Sequence, residues 1–405
     1  MSRIVKLGDL CDFINGGAWT EKEYVATGIP VLKVSNFKPS GFLLEDVSNL
    51  PYRSLEKYKK HLLQKGDMII ATVGSHPNLV NSAAGRSCVI TDEVTGYLLN
   101  QNAVCVRTLD SDVLDQRYLV YLGKSFYFQH YIQSRGRGAA NQMRIAIGAI
   151  KEYEFDLPDI ETQQRIADIL TTYDDLIENN QKQIKLLEEA AMRLYKEWFV
   201  NLRFPGYETT KIVDDVPEGW ESAVFKDLCE LVKDSCKSKD IIGGIPYIGL
   251  EHIPRRSICL NEWGDSSDVG SSKYRYKVKD ILFGKIRPYF HKVGFAVNEG
   301  ICSTDAMVFR AYDNMFGLLL TTAFSDEFVA YSYATCREGA KMPRADWNEM
   351  GNYSVLIPNE DVLSAYNNII NPLVDSITVL VKQVHNLVDA RDKLHSKLMN
   401  GKIEV

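Results

Sequence analysis

The chain has 405 residues, 45% hydrophobic and 25% charged, with a formal net charge of −6, which is ordinary globular composition and long enough for two to four domains. No run approaches eighteen apolar residues, which excludes a transmembrane helix, and MSRIVKLGDLCDF at the N-terminus lacks a signal-peptide core. Eight cysteines without a CxxC pair fit reduced cytoplasmic thiols better than a metal site or a disulfide framework.

In chain order, short strands with turn signals come first, such as VLKVSNF, DMIIATVG and NAVCVRT, with some helix at YLVYLGKSFYFQHYIQ. This predicts a strand-rich globular head over residues 1–158. The strand-like FDL then stops at Pro158 and a helical pattern begins at once, predicting a long helix over 159–200. NLRFPGYETTKIVDDVPEGW (201–220) reads as a linker. A second head follows over 221–358 and a second long helix over 359–405.

The second half repeats the first. LGDLCDFI (7–14) answers FKDLCELV (225–232), and GIPVLKVSNF (28–37) answers GIPYIGLEHI (244–253). KGDMIIATVG (65–74) answers VKDILFGKIR (278–287), and RGRGAANQMR (135–144) answers CREGAKMPR (336–344). Pro358 lies two hundred positions after Pro158. In the first helical stretch Ile166, Leu170, Tyr173, Ile177, Asn180, Ile184, Leu187, Ala191, Leu194 and Trp198 alternate in spacings of four and three. Adding two hundred gives Tyr366, Ile370, Leu373, Ile377, Leu380, Val384, Leu387, Arg391, Leu394 and Leu398. A 3-4 alternation kept this long predicts a coiled-coil seam. Two independent amphipathic helices, each lying on its own head, are the plainer alternative. Asn180 and Arg391 interrupt the seams, and Pro372 should kink the second helix or start a new one.

If the second head is compact, the helices pack antiparallel with a head at each end of a rod roughly 60 Å long at 1.5 Å per residue. The fold class expected is therefore α+β: two similar strand-rich heads, two long helices and an approximate twofold axis. Such a pair suits duplex DNA, whose half-sites on one face recur about every 34–36 Å. Net charge argues against a nucleic-acid binder, yet SKYRYKVKDILFGKIRPYFHK (272–292) sets seven Lys and Arg against Asp280 alone.

LPDIETQQRIADIL (157–170), LLEEAAMRLYKEWFVNLRFPGYE (186–208), PEGWE (217–221) and KLMNGKI (397–403), with the Gly-Ile-Pro and Gly66-Asp67 segments, make the chain resemble the specificity subunit of type I DNA restriction–modification systems. The likeness spans essentially the whole chain. It departs at 360–366, where ETQQRIA becomes EDVLSAY. The resemblance implies that each head is a target recognition domain reading half of a bipartite site in double-stranded DNA, and that the helices set the spacer. It implies two methyltransferase subunits docked along the helices, motor–nuclease subunits beside them, and S-adenosylmethionine, ATP and Mg held by those partners. No catalytic, cofactor or metal residues are expected here. The nearest approach to a methyltransferase Asn/Asp-Pro-Pro-aromatic motif is Asn371-Pro372-Leu373, and no P-loop is present. Asp159-Ile160-Glu161-Thr162 lacks a nuclease lysine and suits a helix N-terminus. A duplicated scaffold whose heads bind protein is the alternative reading.

Three loops in each head are candidate DNA contacts. In SRGRGAANQMR, Arg135, Arg137 and Arg144 offer forked donors, while Asn141 and Gln142 suit adenine; the counterpart holds Arg337, Lys341 and Arg344. After the Gly-Asp strand come Ser75, His76 and Asn78 in one head, and Lys285, Arg287, Tyr289, His291 and Lys292 in the other. At a strand end lie Lys33, Ser35 and Asn36, answered by Glu251, His252, Arg255 and Arg256. Solvated surface loops are the plainer alternative for each. Tyr195, Trp198 and Phe199 read first as core and second as a methyltransferase-docking surface.

Overall fold

The computed structural model describes residues 3–38, 41–45, 47–75, 83–139, 142–336 and 341–403. The chain divides into two compact units, Met1–Leu176 with Leu387–Val405, and Ile177–Asn386. Each unit joins one head to a stretch of both long helices, Ile160–Tyr195 and Glu360–Met399.

In the first unit, Cys11–Asn15, Ala103–Thr108, Met68–Ala71 and Ser87–Val89 form a four-stranded antiparallel sheet in that order. Met68–Ala71 is buried at every position, which is why it reads as an unbroken apolar run rather than an alternating one. Gly66 turns the chain at φ +85°, a conformation that glycine adopts without a Cβ clash. The next residue, Asp67, is buried, accepts the Gln64 N–H at 2.7 Å, and takes the Arg107 Nε and Nη2 at 2.7 Å each. The Gly-Asp motif is thus a turn stitched by a bidentate ion pair to the neighbouring strand. Helices Gln116–Lys124 and Phe126–Ser134 meet at Ser125, whose hydroxyl accepts the Phe128 N–H. Arg3–Lys6 pairs antiparallel with Glu154–Leu157 and delivers the chain to the long helix.

That helix starts at Asp159, whose carboxylate caps the Thr162 N–H at 2.8 Å. Gln163 is fully buried. Its amide donates to Val113 O and Pro158 O and accepts the Asp115 N–H, so one glutamine of the ETQQRIA motif fastens helix to head. Ile166, Ala167 and Leu170 enter the core of the head together with Leu398. Arg391, a seam interruption, reaches Asp174 at 2.6 Å, and Tyr121 donates to the same carboxylate at 2.8 Å. His395 donates to Tyr121 O at 2.8 Å. The end of the second long helix is therefore bound both to the first helix and to this head.

The second unit repeats the plan. Cys229–Val232, Ala306–Ala311, Ile281–Gly284, Val293–Ala296 and Cys259–Leu260 make a five-stranded sheet. Asp280, 2% exposed, accepts the Lys277 N–H at 2.7 Å and pairs with Arg310 at 2.8 and 2.6 Å. Helices Phe316–Phe324 and Asp326–Ala334 turn at Ser325, which caps Phe328 at 3.1 Å. Strand Glu221–Val224 pairs with Ser354–Ile357. At the second helix start Asn359 caps Val362, and buried Leu363 stands where the first helix has Gln163. An apolar side chain there replaces the amide bonds with packing, which explains the departure from ETQQRIA.

Within this unit Asn180 donates to Gln383, and Trp198 and half-buried Phe199 pack against Tyr366 with ring centroids 5.6 and 4.8 Å away, the second pair edge-to-face. Numbers rise along one helix as they fall along the other, so the pair is antiparallel. Glu188 accepts Ser257 Oγ at 2.8 Å and the Cys259 N–H at 3.2 Å, tying the first helix to this head. Burial raises the Glu188 carboxyl pKa, and those hydrogen bonds oppose it. Phe204 and Trp220, from the stretch read as a linker, are buried in the same core at 4.6 Å from each other.

The seams hold in part as narrow stripes. Ile166, Leu170, Ile177, Ile184, Ala191 and Trp198 are buried, as are Tyr366, Ile370, Ile377 and Leu398. Leu187, Leu194, Leu373, Leu380, Val384, Leu387 and Leu394 are only half-buried. Val374 and Val381, outside the expected seam, are 1% exposed. The second helix therefore presents a broader face, because it meets both the first helix and the head. Nor does a new helix begin at Pro372: Glu360–Met399 is one element. Pro372 and Asn368 are exposed, so water can satisfy the carbonyl that proline leaves without a donor.

Candidate nucleic-acid interface

In the first head, Val73–Gly74 pairs with Gln142–Arg144, which pairs with Arg137–Ala139. Met143 points inward and is buried, so its neighbour Arg144 points out. The register sets Arg144 directly opposite Arg137, and both are exposed. Like charges opposite one another on a ladder repel, and neither has an ion pair among the described residues. Arg135, also exposed, lies 5.0 Å from the centre of the Tyr131 ring. At Gly136 a Cβ would meet Met143 Sδ at 2.4 Å, so the absence of a side chain lets the strand close over that methionine. An anion placed on this face would relieve that repulsion. Ser75 follows the neighbouring strand and is half-buried. His76, Asn78 and Asn141 lie outside the described residues, and Gln142 is described in its backbone alone.

The strand-end candidates of this head are held in its own structure. Asn36 is buried; its Oδ1 accepts the Lys33 N–H at 2.9 Å and its Nδ2 donates to Leu43 O at 2.8 Å. Lys33 donates to Ser48 Oγ at 2.8 Å and lies 4.2 Å from the Tyr24 ring centre. Ser35 is exposed.

In the second head Ile286 bridges Arg344 as Val73 pairs with Arg144. Exposed Arg344 meets Asp305 at 3.1 Å. Lys285 is half-buried, and burial lowers its pKa while Asp305 pulls it back. Lys233, Lys285, Arg344, Tyr274, Trp347 and Glu349 help to line a cavity of about 710 Å³. Lys341 is exposed, and Arg337 lies outside the described residues.

Pro288–Phe290 forms a turn bracketed by Arg287 and His291, both left-handed at φ +52°. Such a conformation in two non-glycine residues needs external support. The Arg287 N–H donates to Pro343 O at 2.9 Å, and buried His291 donates to Phe324 O at 2.8 Å. The other His291 nitrogen lies 3.3 Å from Asp326 without hydrogen-bond alignment. Tyr289 is left exposed, its ring 5.2 Å from that of Tyr333. His291 is thus a support and Tyr289 the presented group. Lys292 donates to Leu250 O, and His252 Nδ1 accepts the Gly249 N–H at 3.0 Å. Glu251 is exposed, 3.9 Å from that ring. Arg255 lies 4.0 Å from the Phe290 ring centre, and Arg256 pairs with Asp326 at 3.0 Å.

Burial holds the His291 imidazole below its ordinary value. A depressed folded pKa means that the unfolded chain takes the proton first, so this stability is present above about pH 6.5 and is lost as pH falls below it. A His291→Gln chain is therefore expected to lose less stability between pH 7.5 and 5.5, as read by urea unfolding.

Sequence reasoning missed Asp305, Lys233 and Tyr274. The signal was there for Asp305: TDAMVF and QNAVCV occupy the same place in the two halves, so Asp305 answers Asn102.

A family model described as the type I restriction modification DNA specificity domain matches residues 2–189. The specificity subunit of the type I restriction enzyme MjaIX from Methanocaldococcus jannaschii is 24% identical over 317 residues, 73% of this chain and 71% of that one. The HindI specificity subunit from Haemophilus influenzae is 26% identical over 163 residues, 40% of this chain and 33% of that one. In fold, the S subunit of a type I restriction–modification system from M. genitalium matches with a TM-score of 0.58 at 14% identity, over 98% of this chain and 96% of that one.

Proposed function

From the premise that the chain belongs to the specificity subunits of type I DNA restriction–modification systems, we propose how its two heads divide the work. The chain is the sequence-recognition subunit; it supplies the address and not the chemistry. Each head reads one half of a bipartite duplex site, and the length of the paired helices sets the unread spacer. Two methyltransferase subunits dock along the helices and carry S-adenosylmethionine, and motor–nuclease subunits bring ATP and Mg, in the cytoplasm.

The observation that carries this reading is the repeated arginine. Arg144 and Arg344 stand at the same strand junction of the two repeated heads, each beside further cations on an outward face. A guanidinium there can meet phosphate or guanine O6 and N7. The remaining cations of each face would set register by phosphate contact without reading bases.

The test is co-expression with the cognate methyltransferase and genome-wide mapping of methylated adenines, which should give one two-part sequence. In the same complex, Arg137→Gln with Arg144→Gln should weaken binding to that duplex and reduce the slope of log affinity against log salt by about 2, at roughly 0.9 per phosphate contact. Unchanged affinity and slope would exclude this face from the interface.

A further inference from the structure

The two heads share a backbone scaffold at the repeated arginine but differ in what stands beside it. In the first head the Thr72 N–H donates to Asn102 O at 2.8 Å and the Ile145 N–H to Thr72 O at 2.8 Å. In the second, the Lys285 N–H donates to Asp305 O at 2.8 Å and the Ala345 N–H to Lys285 O at 2.9 Å. The hydrogen bonds match one for one, so Asp305 occupies the place of Asn102, and Lys285 that of Thr72. Among the described residues, a carboxylate is therefore set against the repeated arginine in the second head alone. Arg344 Nη1 lies 3.1 Å from Asp305 Oδ1, with their side chains 57% and 35% exposed. An ion pair that open to water adds little to stability. It does hold a long side chain in one pose, and it cancels one positive charge beside a cavity whose other charged residues are Lys233, Lys285, Asp346 and Glu349.

We propose that Asp305 is a positioning residue that sets the specificity of the second head. It aims Arg344 at one base edge and makes that arginine nearly neutral toward the phosphate backbone. The inference rests on the reading of the heads as DNA readers. The first head, with Arg137 opposite Arg144 and no acid on either among the described residues, gains more from phosphate charge. The second gains more from direction. Lys285, half-buried beneath the pair, supplies the charge that remains when Asp305 and Arg344 are joined.

The test uses the full chain assembled with its methyltransferase subunits and duplexes carrying the mapped target with single base-pair substitutions. Asp305→Asn, which installs the side chain found in the first head, should reduce discrimination at one position of the second half-site roughly tenfold, the scale of one bidentate base contact. It should also steepen the salt slope by about 1, since Arg344 becomes available to phosphate. Discrimination in the first half-site should not change, and Asp305→Glu should restore most of the loss. A residue serving stability alone would lower the melting temperature and weaken every sequence alike. If Asp305→Asn does not fold, Arg344→Gln carries the test and should lose the same base preference. Wild-type discrimination and slope in either variant would overturn the proposal. If Arg137→Gln with Arg144→Gln still weakens binding in that case, the reading of the heads stands and only the role of Asp305 falls.

Discussion

Replacing Arg310 with Ala should destabilise the second head by about 3–5 kcal/mol, the cost of leaving one partner of a buried pair uncompensated. Asp280 is 2% exposed, and with Arg310 gone its carboxylate keeps, among the described residues, the Lys277 N–H at 2.7 Å. The lower end of the range is expected because Arg310 is itself 31% exposed and its pocket opens to water once emptied. Removing both charges, as Asp280→Asn with Arg310→Met, should cost less than Arg310→Ala alone, since no bare carboxylate remains. The first head offers an internal replicate. Asp67 is 4% exposed and paired to Arg107 in the same geometry, so Arg107→Ala should act there with similar size. Hydrogen exchange at Ile281–Gly284 and at Met68–Ala71 separates the two effects, since each variant should loosen one strand and spare the other. A loss under about 1 kcal/mol at either site would mean that water already screens the pair.

That ion pair also marks where sequence reading stops. Gly66-Asp67 and Lys279-Asp280 were legible as equivalent positions because the local segments around them repeat. Their arginines were not, because Arg107 and Arg310 lie 40 and 30 residues further on and are brought in by strand pairing. The duplication and the long helices were legible for a related reason: periodicity is a local pattern that burial imposes on each turn. What periodicity could not give was the second face. Val374 and Val381 are buried because this helix meets a head as well as a helix, a fact of tertiary arrangement. Among the candidate contacts, Asn36 and His291 have side chains fit to read a base. Both are used to hold turns, and nothing in their residue types distinguishes the two uses. Arg137 and Arg144 could be picked out as cations. Their opposition across a hairpin required the register.

Inserting seven residues into each long helix should lengthen the spacer of the methylated site by about two to three base pairs and leave both half-sites unchanged. Seven residues add roughly 10 Å of helix at 1.5 Å per residue, close to three steps of duplex at about 3.4 Å each. The insertions must be matched. Asn180 faces Gln383 and the helices are antiparallel, so one added heptad belongs after Asn180 and the other before Gln383. A heptad keeps the 3-4 seam in register where any other short length would rotate it. An insertion in one helix alone should shift the pairing of Ile184 and Trp198 against Ile377 and Tyr366, and is expected to yield misfolded chain. The matched pair also turns the second half-site around the duplex axis by about a hundred degrees, taking about 10.5 base pairs per turn. Methylation should therefore slow even as its address stays legible, because the complex or the duplex must twist to bring both heads onto their grooves. Methylation mapping in cells carrying the lengthened chain reads both quantities at once. A spacer that stays fixed would mean that something other than helix length measures the distance between half-sites. An altered half-site would mean that base reading is not confined to the heads.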